Sequence, residues 1–167
     1  MILDLCNPAD VEIFQRGTAS AIVGITSGCF DLTHNYHLNY FLRCRRLCDI
    51  LIVGVDSDDL VRKTKGENRP IVSENERVAM VNAFVPVHAA FVMGSVEDFR
   101  RAVIAFKAKK IFKNQDFMGR ENEVVGIEEA DLVIVPDINV LNSTSQIIEE
   151  VIKKGIATGE AGSNAQG

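Results

Sequence analysis

The sequence predicts an α/β protein, a Rossmann-like, doubly wound parallel sheet of about five strands with helices on both faces. Three observations lead there. Short runs rich in Val, Ile and Leu recur along the chain without polar alternation, as strands buried on both sides require. Segments with helical spacing of apolar residues lie between those runs. The first strand, helix and strand close within about 35 residues, the length of a right-handed βαβ crossover.

Each element has a local reason. The chain has 167 residues, 47% hydrophobic and 25% charged, enough for one domain with a substantial core. Residues 1–20 form an N-terminal edge segment, in which Asn7-Pro8-Ala9-Asp10 starts a helix and Val11, Ile13 and Phe14 follow. Residues 21–154 form the main domain. Ala21 to Ile25 reads as the first strand. The next helix runs to about Leu47, with Leu38, Phe41, Leu42 and Leu47 as its buried stripe and Arg43, Arg45 and Arg46 facing water. Asp49 to Val55 is the second strand. Asp56-Ser57-Asp58-Asp59 caps a helix to about Lys63, and a polar loop to Pro70 carries several cations. Ser73 to Phe84 is helical, with Ser73 as N-cap and Glu76 completing a capping box. The third strand centres on Ala89 to Val92, an amphipathic helix covers Val96 to Phe106, and Lys110 to Lys113 is the fourth strand. A loop from Asn114 to Gly119 leads to a weaker helix, Glu121 to Glu129, and a fifth strand, Leu132 to Val135. Asn142-Ser143-Thr144-Ser145 caps the last helix, expected to end near Lys154 at Gly155. Residues 155–167 are small and polar and are expected to form a disordered tail.

Composition excludes several classes. A net charge of −5 argues against non-specific nucleic-acid binding, which needs a basic face. Cys6, Cys29, Cys44 and Cys48 contain no Cys-x-x-Cys pair, so a zinc ribbon is excluded. Cys44 and Cys48, one helical turn apart, read as two buried thiols rather than half a metal site. No separate protein metal site is expected. The acidic amino terminus and the lack of any run approaching about 18 apolar residues predict neither a secretory signal nor a membrane span. Free thiols place the chain in the cytoplasm.

The stretch with chemistry is Gly28-Cys29-Phe30-Asp31-Leu32-Thr33-His34-Asn35-Tyr36-His37, where the first strand gives way to a helix. His34 and His37 fall on one face of the first turn, beside unpaired N–H groups and the positive end of the helix dipole. Such a junction holds anions, phosphates above all. Neither Gly-x-Gly-x-x-Gly nor a Walker A loop is present, so a nucleotide needs another phosphate cradle. The plainer reading is a pair of surface histidines at a helix start, with Asp31 a turn former and Ser143 to Ser145 an ordinary N-cap.

Gly28-Cys29-Phe30-Asp31 with His34 and His37 resembles the Gly-x-Phe-Asp-x-x-His-x-Gly-His signature of the cytidylyltransferase-like nucleotidyltransferases. Further segments resemble the members that adenylylate heptose 1-phosphate: Asp56-Ser57-Asp58, Lys65-Gly66 through Arg69-Pro70, Arg77, Lys113 with Asp116-Phe117, and Ser143-Thr144-Ser145. The resemblance covers about residues 20 to 154 and implies transfer of AMP from ATP, or CMP from CTP, to a phosphorylated small-molecule acceptor. Pyrophosphate leaves, and Mg²⁺ arrives with the triphosphate. It implies that His34, His37 and Lys65 stabilise the reacting phosphates. Gly28, Cys29, Phe30, Tyr36, Arg77, Lys113, Asp116, Ser143, Thr144 and Ser145 would bind the nucleotide, and Asp31 and Asp56 would face the acceptor. No nucleic acid or membrane partner follows from it, and the family is compatible with a homodimer. Glycerol-phosphate cytidylyltransferases and flavin or nicotinamide mononucleotide adenylyltransferases share the core motif. Tyr36 stands where the family has Gly. Its ring either stacks on the base or fills the pocket, and the latter describes a nucleotide-binding module that has lost turnover.

Overall fold

The computed structural model describes residues 1–136 and 144–162, which belong to two compact units, Met1–Asp137 and Ile138–Gly167. In the first unit α1 (Pro8–Gly17) is followed by β1 (Val23–Gly28), α2 (Asn35–Arg45), β2 (Ile50–Asp56), α3 (Asp58–Lys65), α4 (Glu74–Ala83), β3 (Ala89–Met93), α5 (Val96–Ala105), β4 (Lys110–Asn114) and β5 (Asp131–Val135). These strands pair in parallel in the order β3-β2-β1-β4-β5. The predicted fold class is therefore observed.

Two buried clusters show the double winding. On one face Phe14 of α1 and Phe99, Ala102 and Val103 of α5 pack on Ile25, Ile52 and Ile111. On the other, Phe41 and Cys44 of α2 and Val78 and Val81 of α4 pack on Leu51, Val53, Val55 and Phe112. Alternate residues of β2 serve opposite clusters, as the pleat of a strand covered on both faces requires. No helix among the described residues is long and apolar enough to cross a membrane.

The inner stripe of α2 differs from the expected one. Phe41, Cys44 and Cys48 are buried, whereas Leu42 and Leu47 are exposed. Helix and sheet approach closely here: a Cβ on Gly24 of β1 would lie 2.9 Å from Cys48 Sγ and 2.3 Å from the Phe112 ring. Small thiols fit that gap and leucines do not. Both thiols are pushed up by burial, that of Cys44 to about 12.

Three further expectations are corrected. Ser73 precedes α4, but its hydroxyl donates to Glu76 (2.7 Å) instead of accepting from the helix backbone, so the capping box is incomplete. Glu121 to Glu129 forms only one 3-10 turn, Glu121–Glu123, because Val124 turns extended into the core and Gly126 has φ of 92°. In the second unit α6 (Thr144–Gly162) continues through Gly155. A mid-helix glycine costs only about 1 kcal/mol relative to alanine, too little to stop a helix by itself. Residues 163–167 of the expected tail lie outside the described residues, as do Asn142 and Ser143.

Candidate active site

From β1 the sheet grows through β2 to β3, and then β4 joins the opposite side of β1. The carboxyl ends of β1 and β4 therefore border the crevice where open α/β sheets bind ligands. The loop after β1 carries the histidine motif on one side, and the end of β4 carries Lys113 and Asp116 on the other.

The motif loop is held in an unusual shape. Phe30 and Leu32 have φ of 50° and 46°, in the left-handed region that non-glycine residues avoid. Such a backbone costs roughly 1–3 kcal/mol per residue and persists where its surroundings over-determine it. Asp31, between them, is buried. Its Oδ2 accepts from Arg69 Nε (2.9 Å) and the Ile71 amide (2.9 Å), and its Oδ1 accepts from the Val72 amide (3.0 Å). Arg77 is only 1% exposed. Its guanidinium donates to the Cys29 carbonyl (2.6 Å), the Val72 carbonyl (2.8 Å) and Asp58 Oδ1 (2.7 Å). Asp31 and Arg77 thus tie the motif loop to the 66–73 segment from two sides.

These contacts revise several expected roles. Asp31 clamps a loop through both of its oxygens. Arg77, expected to pair with phosphate, is a buried brace. Phe30 turns inward, its ring 5.6 Å from His37 and 5.2 Å from Phe41, and forms a floor under the histidine. Gly28 makes that possible, since a Cβ there would approach the Phe30 ring to 3.2 Å. Cys29 is buried and contributes its carbonyl to Arg77.

The histidines keep the expected geometry. The His34 amide donates to His37 Nδ1 (3.2 Å). An amide can only donate, so His37 Nδ1 accepts and the proton of the neutral ring sits on Nε2. His37 thereby does for the first turn of α2 what Glu does at the third position of a capping box. His34 Nδ1 donates to the Leu32 carbonyl (3.0 Å). The rings are 4.4 Å apart, edge to face. Burial, then the charges of His34 and Lys65, lower His37 to about 4, so it is neutral near pH 7. Tyr36 lies beside both, its ring 6.3 Å from His34 at 27° and 5.9 Å from His37.

Lys65 ends α3 and is exposed; its charge acts on both His37 and Asp56. Lys113 is mostly buried. Its Nζ donates to Ser27 Oγ (3.0 Å) and lies 4.8 Å from the Phe99 ring centre and 5.1 Å from that of Phe117. Burial lowers Lys113 to about 8 against the opposing pull of Asp56, and burial raises Asp56 against the pull of Lys113 and Lys65. Asp116 is exposed after β4 and accepts from Asn114 Nδ2 (2.8 Å). Thr144 and Ser145 open α6 in the second unit, and Ser143 lies outside the described residues. Among the described residues no three His, Cys, Asp or Glu side chains gather as a metal cage.

Sequence reasoning passed over Arg69, Ser27 and Asp58 as working residues. Arg69 sat in a noticed motif, but nothing local signals its pairing with Asp31 38 residues away. Ser27 and Asp58 gain their meaning only from partners on other elements.

A parallel sheet with a histidine pair at the β1–α2 junction defines a class, and comparison names it. Residues 25–157 match the model of the cytidylyltransferase-like family, and the chain belongs to that family. It is 40% identical over 130 residues to the bifunctional protein HldE of Campylobacter jejuni subsp. doylei, covering 77% of this chain and 27% of that one. It is 34% identical over 141 residues to the bifunctional protein HldE of Helicobacter pylori, covering 84% and 29%. The chain thus spans little more than a quarter of the length of these curated relatives. Among solved structures, a lipopolysaccharide core biosynthesis protein from Thermoplasma volcanium GSS1 is similar with a TM-score of 0.59 and 25% identity, covering 73% of this chain and all of that one. A pantoate-beta-alanine ligase from Francisella tularensis shares the fold, with a TM-score of 0.57 and 10% identity over 87% of this chain and 69% of that one.

Proposed function

We propose that the chain is a nucleotidyltransferase that moves AMP from ATP to a sugar phosphate of the heptose 1-phosphate type and releases pyrophosphate. The observation that carries the proposal is the histidine pair. His37 is capped through Nδ1 and neutral, with its Nε2–H as donor, and His34 stands 4.4 Å away at the same helix start. The acceptor's phosphate is largely ionised at neutral pH, since its second pKa is about 6. No general base is then needed, and the protein supplies position and donors. The acceptor oxygen attacks the α-phosphorus and the bond to the pyrophosphate oxygen breaks. His34, His37 and the α2 amino terminus hold the oxygens on which charge develops, and Lys65 neutralises the departing phosphates.

Mg²⁺ would arrive with the triphosphate and supply positive charge against its phosphates. Cations and imidazoles around the crevice suit a ligand that brings its own metal ion. Ser143, Thr144, Ser145 and Asp116 enter this proposal on the sequence resemblance alone. The preference for ATP over CTP follows the Lys65 to Pro70 segment and the HldE relatives. A cytoplasmic setting accords with the free thiols.

A second reading rests on Tyr36, whose ring flanks both imidazoles. In that reading the chain binds nucleotide without turnover, or binds none. The test is calorimetric titration with ATP and with CTP, each with Mg²⁺, followed by pyrophosphate release with sugar phosphates. Micromolar ATP binding with turnover supports the transferase. Tyr36→Gly tightens nucleotide binding if the ring obstructs the pocket; unchanged or weaker binding removes the obstruction idea.

A further inference from the structure

The face of the sheet covered by α5 is apolar until its carboxyl end. Ile52 of β2, Ile25 of β1 and Ile111 of β4 lie on it, all fully buried. These strands are neighbours in the order β2-β1-β4. Two residues further along each, the pleat returns to the same face and places Gly54, Ser27 and Lys113 there, with Asp56 two beyond Gly54. Gly54 adds no side chain of its own, and Met93 and Phe91 occupy the space over it, since a Cβ there would lie 2.7 Å from Met93 Sδ. An apolar column therefore ends in an ammonium, a hydroxyl and a carboxylate at the mouth of the crevice. Lys113 Nζ is pinned by Ser27 Oγ at 3.0 Å and flanked by the Phe99 and Phe117 rings.

An ordinary core would place aliphatic residues at these last inward positions, because a desolvated charge is costly even when it faces its opposite. The set combines a fixed donor, a donor–acceptor and a double acceptor at the end of a close-packed face. That chemistry matches a row of neutral hydroxyls, each of which both donates and accepts. It matches a phosphate poorly, since the Asp56 carboxylate would repel one. The phosphate-binding groups, the histidines and the α2 amino terminus, follow β1 on the other face, whose cluster contains Phe30 and Phe41.

We propose that Lys113, Asp56 and Ser27 form a polyol subsite that selects the hydroxyls of the acceptor sugar. The inference rests on the reading of the acceptor as a sugar phosphate, and it moves Lys113 from the nucleotide to the acceptor. Burial also holds Lys113 down and Asp56 up, so each has lost solvent that a sugar's hydroxyls would replace. Phe117, partly exposed, offers an apolar surface beside them for the C–H face of a ring.

The test separates hydroxyl recognition from phosphate recognition. The full chain is titrated calorimetrically with mannose 1-phosphate and with methyl phosphate, and separately with ATP and Mg²⁺. The wild-type protein is expected to prefer mannose 1-phosphate by roughly tenfold or more, the worth of one or two hydrogen bonds to charged groups. In Asp56→Asn, Lys113→Met and Ser27→Ala that preference collapses toward unity, while methyl phosphate and ATP bind as before. A lower melting temperature with the preference intact makes the set a structural cluster and overturns the proposal. Equal weakening of both phosphates makes Lys113 a phosphate ligand, and weakened ATP alone returns it to the nucleotide; each also overturns it. Absence of the preference in the wild-type chain that still binds ATP overturns the subsite and leaves nucleotide binding standing. Absence of ATP binding and of pyrophosphate release removes the transferase reading, and the ratio between the two phosphates still decides the subsite. Ser27→Ala is the mildest variant and keeps the test valid if the charged positions fail to fold.

Discussion

His37 is held by one nitrogen, and the proposed chemistry uses the other. Its Nδ1 accepts from the His34 amide, so a variant that keeps the cap and removes the ring isolates its chemical role. Gln is a natural residue at that position of a capping box. His37→Gln is expected to keep the melting temperature near pH 8 and to lower the rate of pyrophosphate release by about 100- to 1,000-fold, the usual loss when one transition-state donor is removed. The same residue sets an acid limit. Its value is about 4 in the folded chain against 6.5 ordinarily, so between those pH values the unfolded chain takes up a proton that the folded chain refuses. The contribution of His37 is complete above pH 6.5 and is lost as pH falls toward 4, by up to about 3 kcal/mol. Urea unfolding at pH 7.5 and pH 4.5 measures the difference, and His37→Gln is expected to shrink it.

Two elements depend on contacts between loops and on a close helix–sheet approach. The segment after α3 hangs on Asp31, which receives Arg69 and two backbone amides in a buried setting. Asp31→Ala leaves those donors and a nearly buried guanidinium without their acceptor, at a cost of about 3 kcal/mol. Its urea midpoint should fall accordingly, and so should activity, because Lys65 lies just before the segment that is released. Helix α2 shows the opposite economy, in which small side chains are required. Cys44→Leu adds volume at a fully buried position, one turn before the close approach of Gly24 and Cys48. It is expected to destabilise by about 1–3 kcal/mol in urea titrations, even though leucine is the better helix former.

In the whole molecule, stability concentrates in the centre of the sheet. β1 lies between β2 and β4, with both faces covered, and Ile25, Leu51, Ile52, Val53 and Ile111 are fully buried. Hydrogen exchange of native protein should be slowest at β1 and β2, whose amides open only with global unfolding. Slower exchange in α1 or α3 would contradict that distribution. The site sits where this rigid sheet ends, which holds Ser27, Asp56 and Lys113 on strands while Lys65 stays on an exposed helix end. Positioning groups on strands and an exposed cation whose charge reaches Asp56 and His37 suit a reaction that needs alignment more than acid–base chemistry.

The sequence by itself determined the class of sheet, the order of its elements and the place of the histidine motif. Those are local matters: apolar runs, helical spacing and a strand-to-helix junction with a spacing of three between His34 and His37. It also carried the reading of Cys44 and Cys48 as buried thiols. Only the tertiary structure decided what Asp31, Arg77 and Phe30 do, since each acquires its role from partners tens of residues away or from the direction in which its side chain turns. Asp31 meets Arg69, Arg77 meets Cys29, and Phe30 folds under His37. Tertiary packing likewise decided which side of α2 faces inward, because the close approach at Gly24 excludes leucine there. Burial and charge beside a group, the causes that shift His37, Lys113 and Asp56, belong to the assembled fold and leave no mark on the order of residues.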